Sequence, residues 1–421
     1  VKRILLVDIT ADTYEDSAQP DLVVACPECG LVQDLPHISA GTVARCDRCH
    51  CRLTRAPGDA VAPGLLWALT ALFLFLPAVL EPLFIVSAAG RIQENIVGGL
   101  AHTLAEVGYF PLGVVVALFT LLIPLLWLTG LIVVLLNLYA GRVPSWLGRL
   151  YRYVIEAEAW AMPEIFLVGG FVAYSRMRAV TEVTIGNGGL AYIGFAFAVM
   201  LVHGALDRHH VWREIMPEAE TLPVDPISCP ACHLVLPAED EGANCPRCRA
   251  RVLRRKPASL ARTAALTIAA YLLYIPANLL PVLTVTRLGR SEDNTIFSGM
   301  MELIHLQMVP LAIIVFCASI AVPLLKLAGL TWFLIAIKRA SPTMLGPRTR
   351  LYKMIDAIGR WSNIDVFMIA LLTGLIQFEQ LSTVLPKPGA LAFAAVVILT
   401  MIASRSFDPR LMWDAAHEEK N

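Results

Sequence analysis

Charge is scarce in this chain: Asp, Glu, Lys and Arg make up 16% of 421 residues, and 34 basic side chains balance 34 acidic ones. With no net charge there is no electrostatic ground for binding nucleic acid or an acidic partner. Arrangements that catalysis would need are also missing, with no Walker sequence, no HExxH and no Ser/His/Asp order. The sequence therefore argues against an enzyme and gives no ATP-binding motif. The opening stretch VKRILLVDITADTYEDSAQPD has too short an apolar run and too many acids for a secretory signal, which predicts a cytoplasmic N-terminus.

What is abundant is apolar. Hydrophobic residues make up 57% of the chain and the mean hydropathy is +0.64, which places it among polytopic membrane proteins. Eight of the ten cysteines form four C-x2-C pairs: Cys26/Cys29, Cys46/Cys49, Cys229/Cys232 and Cys245/Cys248. The pairs are separated by 16 residues in the first set and 12 in the second, the spacing of a four-thiolate zinc ribbon. A disulfide framework is the alternative, and it requires an oxidising compartment. Four thiolates accept zinc or iron, and Cys51, two residues after Cys49, leaves the fourth ligand of the first set open.

The chain also repeats itself. FLPAVLEPLFIV (75–86) aligns with YIPANLLPVLTV (274–285), and FPLGVVVALFTLLIPLLWLTGL (110–131) with VPLAIIVFCASIAVPLLKLAGL (309–330), both at a shift of 199. LYRYVIEAEAWAMPEIFLVG (150–169) and GGLAYIGFAFAVMLVHGALDRHHVW (188–212) recur near 351 and 389 at a shift of 201. Each half thus reads as a cysteine knuckle domain followed by four hydrophobic segments, near 65–86, 111–140, 163–181 and 189–206, then 263–286, 309–337, 362–378 and 389–404. The third segment of each half has the shortest apolar run. The expected fold is an all-α polytopic membrane protein of two tandem repeats and eight spans. Its domains are a zinc ribbon at 1–60, a four-helix module at 61–215, a second ribbon at 216–258 and a second module at 259–421.

Cations gather at one end of the spans: Arg251, Arg254, Arg255 and Lys256, then Lys338, Arg339, Arg348, Arg350 and Lys353, then Arg405 and Arg410. The opposite loops carry few, such as Arg287, Arg290 and Lys387, and hold Glu292 and Asp293. The positive-inside rule puts both ribbons and both termini in the cytoplasm, where reducing conditions favour zinc. Pro77 and Pro276 are expected to kink or break the first spans, and Pro323 to free the carbonyl of Ser319 in the sixth. Gly169/Gly170 read as close-packing residues, His209/His210 as solvated, and Trp127 and most other tryptophans as interfacial.

One charge lies at membrane depth, Lys326 in PLLKLAGL, at a cost of several kcal/mol on insertion scales. Asp365 in WSNIDVFMIALLTG is the acid offered by the second half, and Thr400 is a further polar group. The repeat matches these to Trp127, Glu164 and Val199, so only the second half holds both a buried base and a buried acid. Lys326 and Asp365 read either as a proton-exchanging pair or as a static ion pair fixing helix register. Glu164, near a span entrance of the first half, and Glu182 farther along are secondary candidates.

In combination, CPECGLVQDLP and CPACHLVLP, the two P-x4-P spans and the WAMPEIF and WSNIDVF landmarks resemble the paraquat-inducible protein A family over nearly the whole chain. The resemblance implies a bacterial inner-membrane protein that moves phospholipid or a similar amphiphile between the membrane and an MCE-domain protein forming a periplasmic tunnel. It also implies two structural zinc ions and a polar network in the second half, matched here by Lys326, Asp365 and Thr400. A membrane-bound zinc or redox sensor, favoured by Cys51, and a passive scaffold for the MCE partner are the rival readings.

Overall fold

The structure is a computed structural model that describes residues 6–7, 22–35, 42–55, 61–88, 91–178, 181–217, 223–287, 290–375, 377–378 and 382–418. The first half contributes helices α1 (Val61–Leu80), α2 (Leu100–Glu106), α3 (Phe110–Tyr139), α4 (Leu147–Glu158), α5 (Pro163–Arg178), α6 (Asn187–Ala205) and α7 (Arg208–Ile215). The second repeats the order with α8 (Ser259–Leu279), α9 (Ile296–His305), α10 (Val309–Lys338), α11 (Leu345–Gly359), α12 (Ile364–Leu375), α13 (Pro388–Ser406) and α14 (Leu411–Glu418).

Among the described residues, six helices are long and apolar enough to cross a membrane: α1, α3, α6, α8, α10 and α13. The helices at the third hydrophobic segment of each half, α5 and α12, fall short. At about 1.5 Å per residue, the 16 residues of α5 and the 12 of α12 fall well below the roughly 20 that a bilayer requires. These two pack against each other where the halves meet. All twelve residues of α12 are buried. Gly169 of α5 fits against it, since a Cβ there would stand 3.1 Å from the carbonyl oxygen of Ile364 and 3.2 Å from the Cβ of Phe367. Phe166 and Phe367 meet edge to face at 5.5 Å.

The chain is not all-α. Outside the ribbons, each half carries a small antiparallel sheet, and the apolar runs read as helix through residues 86 and 286 leave the helix at Leu80 and Leu279. Pro82 and Pro281 follow within two residues of these ends; proline cannot donate to a helix, and it is tolerated at the first position of a strand. Pro82–Ala88 pairs with Arg91–Ile96 and Glu182–Ile185, and Leu283–Arg287 pairs with Arg290–Asn294 and Ser382–Pro386. The registers are equivalent: Phe84 faces Ile185 and Leu283 faces Pro386, the same positions of the repeat. Both sheets lie at the helix ends remote from the ribbons. Helices α6 and α13 begin there, each with a repeated glycine as its second residue, Gly188 or Gly389, whose missing Cβ makes room for the carbonyl of Glu81 or Pro281.

Pro77 and Pro276 sit inside α1 and α8. In the long second helices, Pro124 and Pro323 are accommodated by a π-helical turn just before them, at Leu118–Leu122 and Cys317–Ala321. Inside each turn a buried hydroxyl donates one turn back, Thr120 to the carbonyl of Val116 at 2.7 Å and Ser319 to that of Val315 at 2.6 Å. The helix thus widens at the same place in both halves, a device common at functional positions.

The two ribbons cross over. The first packs its cysteines on the second module, in a cluster with Phe333, Tyr352, Ile355, Phe407 and Trp413. Glu28 pairs with Lys353 at 3.4 Å, and the Arg48 guanidinium lies 4.5 Å over Trp413. The second ribbon shares the core of the first module, with Tyr151, Val154 and Trp212, and Arg152 donates to the carbonyl of Cys248 at 3.4 Å. Val23, Ala25 and Val235 form the contact between ribbons.

Candidate metal centres and polar interior

Each ribbon presents two knuckles built alike. The amide of the first cysteine bonds the carbonyl five residues on, Cys26 to Leu31 at 2.8 Å and Cys46 to Cys51 at 2.9 Å. The residue four beyond that cysteine takes positive φ: Gly30 at 73°, His50 at 58°, His233 at 59° and Arg249 at 60°. This turn brings both thiols of a pair to one side.

The knuckles face each other, so that Cys26, Cys29, Cys46 and Cys49 lie buried with their sulfurs all within 4.8 Å, as do Cys229, Cys232, Cys245 and Cys248. Opposed sulfurs are 3.6 Å apart in Cys26/Cys49 and Cys29/Cys46, and 3.5 and 3.6 Å in Cys229/Cys248 and Cys232/Cys245. A tetrahedral ion with sulfur ligands at about 2.3 Å needs edges of about 3.8 Å, so the donor sets fit a four-thiolate metal centre. Hydrogen bonds from the neighbouring thiols, with burial, push the Cys26 and Cys232 thiols up, the crowding of protons that a cation would relieve. Cys51 is buried but outside the set; Cys49 is the fourth member.

The polar interior is arranged differently from the sequence expectation. Lys326 is 1% exposed and makes no hydrogen bond or salt bridge among the described residues, and Asp365 is not its neighbour. The lysine lies over Gly359 at the end of α11, where a Cβ would stand 2.5 Å from its Nζ. It lines a cavity on the ribbon side whose nearby acid is Asp356. Asp365, 3% exposed, lines a separate void of about 20 Å³ together with Arg176 and Val315, about the room one water needs. Both its carboxylate oxygens lack a hydrogen-bond partner among the described residues. Thr400 is buried and donates to the carbonyl of Val397 at 2.9 Å.

In the first half, Trp127 is buried rather than interfacial and its ring lies 5.5 Å from that of His203. His203 stands between two carboxylates, 3.4 Å from Glu158 and 3.6 Å from Glu164. Arg208 completes the group at 2.7 Å from Glu158. Burial opposes the Glu158 carboxylate, but the His203 hydrogen bond and the Arg208 charge outweigh it and hold its pKa down to about 2. Glu182 is exposed on its strand, away from both groups. Sequence reasoning missed Asp356, Glu158 and His203. The repeat carried the signal for Glu158, which occupies the position of Gly359, as Trp127 occupies that of Lys326.

The sequence profile of the paraquat-inducible protein A family matches residues 62–216 and 260–417, once for each half. The chain is 32% identical over 409 residues to intermembrane transport protein PqiA of Escherichia coli (strain K12), covering 94% of this chain and 97% of that one. It is 30% identical over 399 residues to lipophilic envelope-spanning tunnel protein A of the same organism, covering 94% and 92%. It is 26% identical over 423 residues to a probable intermembrane transport protein of Haemophilus influenzae, covering 96% and 99%. No solved structure matches the chain. A duplicated module of this length and order, matched in both copies, makes the chain a member of the paraquat-inducible protein A family.

Proposed function

We propose that this protein is the membrane component of a lipid transport system, moving phospholipid or a similar amphiphile between the inner membrane and an MCE-domain protein that spans the periplasm. The names of two relatives, an intermembrane transport protein and an envelope-spanning tunnel protein, support the transport reading. In this chain the observation that carries it is a lysine and a carboxylate buried in the second module with no ion pair between them. Static register pairs are neutralised by contact; groups left apart at depth are suited to changing protonation and partner. Because Lys326 and Asp365 line different cavities, coupling between them runs through movement of α12 against α10 rather than through a standing bridge.

In this reading α5 and α12 complete an eight-helix bundle as short central elements. The ribbons and termini face the cytoplasm, in keeping with cations such as Arg254, Arg255 and Arg339 at that end. The two four-cysteine centres hold structural zinc, since four thiolates leave no open position for catalysis. The test is complementation of a depleted strain under envelope stress with Lys326→Ala and Asp365→Ala, with membrane levels measured by blot. Both variants are expected at normal level and without function. Full complementation by both replaces transport with the scaffold reading, and loss of function on mild oxidation with zinc release replaces it with the sensor.

A further inference from the structure

The cavity under Lys326 is far larger than a lysine requires. It measures about 760 Å³ and lies where both modules and both ribbons meet, within the size range of small-molecule sites. Three of its cations are already neutralised, Arg208 by Glu158 at 2.7 Å, Lys353 by Glu28 at 3.4 Å and Arg410 by Asp408 at 2.8 Å. Four others line it, Lys256, Lys326, Arg360 and Arg405, and only one carboxylate remains to face them, Asp356. Lys256 donates to the carbonyls of Arg405 at 2.7 Å and Phe407 at 3.1 Å, contacts that hold it in place without cancelling its charge.

The guanidinium groups of Arg360 and Arg405 form no salt bridge and donate no hydrogen bond among the described residues. Arg405 is held instead by its face, 5.7 Å from the Trp160 ring, which leaves its N–H edge available. Asp356 is itself engaged, accepting from Ser404 Oγ at 2.9 Å. A partly enclosed space with a surplus of unpaired cations is costly to maintain empty and concentrates anions. Two free guanidinium forks suit tetrahedral oxyanions, which they bind through paired N–H donors.

We infer that this ribbon-side cavity is a binding site for a phosphate group, with Arg360 and Arg405 as its donors and Asp356 as the charge that limits its affinity. The phosphate belongs either to a lipid headgroup or to a free phosphate or phosphomonoester. The inference does not depend on the transport reading, and the assay below requires no transport.

The test uses the full chain, zinc-loaded, in detergent, titrated at constant ionic strength with inorganic phosphate and with glycerol 3-phosphate by calorimetry. A second arm follows the tryptophan fluorescence of the protein in nanodiscs of phosphatidylcholine alone or mixed with phosphatidic acid. Saturable binding is expected, weakened about tenfold or more in the double variant Arg360→Gln, Arg405→Gln, as loss of charged hydrogen bonds requires. Asp356→Asn should bind more tightly, a gain that misfolding cannot produce, and zinc content should stay unchanged in all variants. A response to phosphatidic acid alone assigns the phosphate to a lipid, and a response to the soluble probes assigns it to a free ligand. No binding of any probe, binding indifferent to the double variant, or an Asp356→Asn variant that fails to tighten overturns the inference.

Discussion

Lys326 lies across Gly359: its ammonium nitrogen would be 2.5 Å from a Cβ at that position and its Cδ 2.8 Å. The helical φ of −60° at Gly359 suits alanine as well as glycine, so space for the lysine rather than backbone freedom is the constraint. The obstacle is the far end of a flexible side chain, so Gly359→Ala should cost only about 1 kcal/mol while driving Lys326 toward the cavity. The variant is expected to fold with a slightly lower unfolding temperature and to match Lys326→Ala in the complementation assay. Normal complementation would mean that the placement of the lysine does not matter.

Gly148 meets an obstacle that cannot move as easily. A Cβ on this residue of α4 would fall on the carbonyl oxygen of Arg247, in the second ribbon. Gly148→Ala should therefore lift that ribbon from the first module, at about 2 to 3 kcal/mol, with faster hydrogen exchange in α4 and in the ribbon around Arg247. Gly204→Ala, with nothing within 4 Å, is the matched control and should leave both measures unchanged.

The crossed docking of the ribbons predicts which module each metal centre supports. Removing metal with a chelator should lower the unfolding temperature, and hydrogen exchange should show where. Cys26→Ser is expected to loosen α11 and α14 of the second module, whose Tyr352 and Trp413 pack on the first ribbon. Cys229→Ser should loosen α4 and α7 of the first, through Tyr151 and Trp212. Loosening confined to the module that follows each ribbon in the chain, the first module for Cys26→Ser and the second for Cys229→Ser, would contradict the crossing.

At the sheet end the halves are joined by Arg176 and Glu302, 3.2 Å apart and 15% and 35% exposed. Partial exposure screens the pair, so a double-mutant cycle with Arg176→Ala and Glu302→Ala should return a coupling of about 0.5 to 1 kcal/mol, falling with salt. Additive effects would show that this ion pair does not help to hold the two halves together.

Glu158 makes stability depend on pH in a definite sense. Its folded pKa of about 2 lies below the ordinary 4.5, so its contribution is complete above pH 4.5 and declines as pH falls toward 2. Glu158→Gln should lower the unfolding temperature at neutral pH, and the difference from wild type should shrink as the pH falls below 4.5. A difference independent of pH would assign the effect to packing.

Much of this architecture is written in the sequence, because the physics that encodes it is local. The C-x2-C spacing determines which thiols share a turn, and the long apolar runs determine α1, α3, α6, α8, α10 and α13. The shift of 199 to 201 residues pairs Trp127 with Lys326 and Glu164 with Asp365. The strands after α1 and α8 were hidden for a local reason too: apolar β-strands such as LTV and LFIV continue the hydropathy of the helix before them.

Only the tertiary structure decided what depends on surfaces distant in the chain. The first ribbon rests on the second module because Trp413 and Tyr352 offer it a face there, which no spacing near residue 26 announces. The acid beside Lys326 is Asp356, on a helix outside the apolar segments, rather than Asp365, one helix farther on. Depth along a helix can be counted from sequence, but the direction in which a side chain points follows from how the helices rotate to pack. In this protein that rotation separates the lysine and the carboxylate into two cavities.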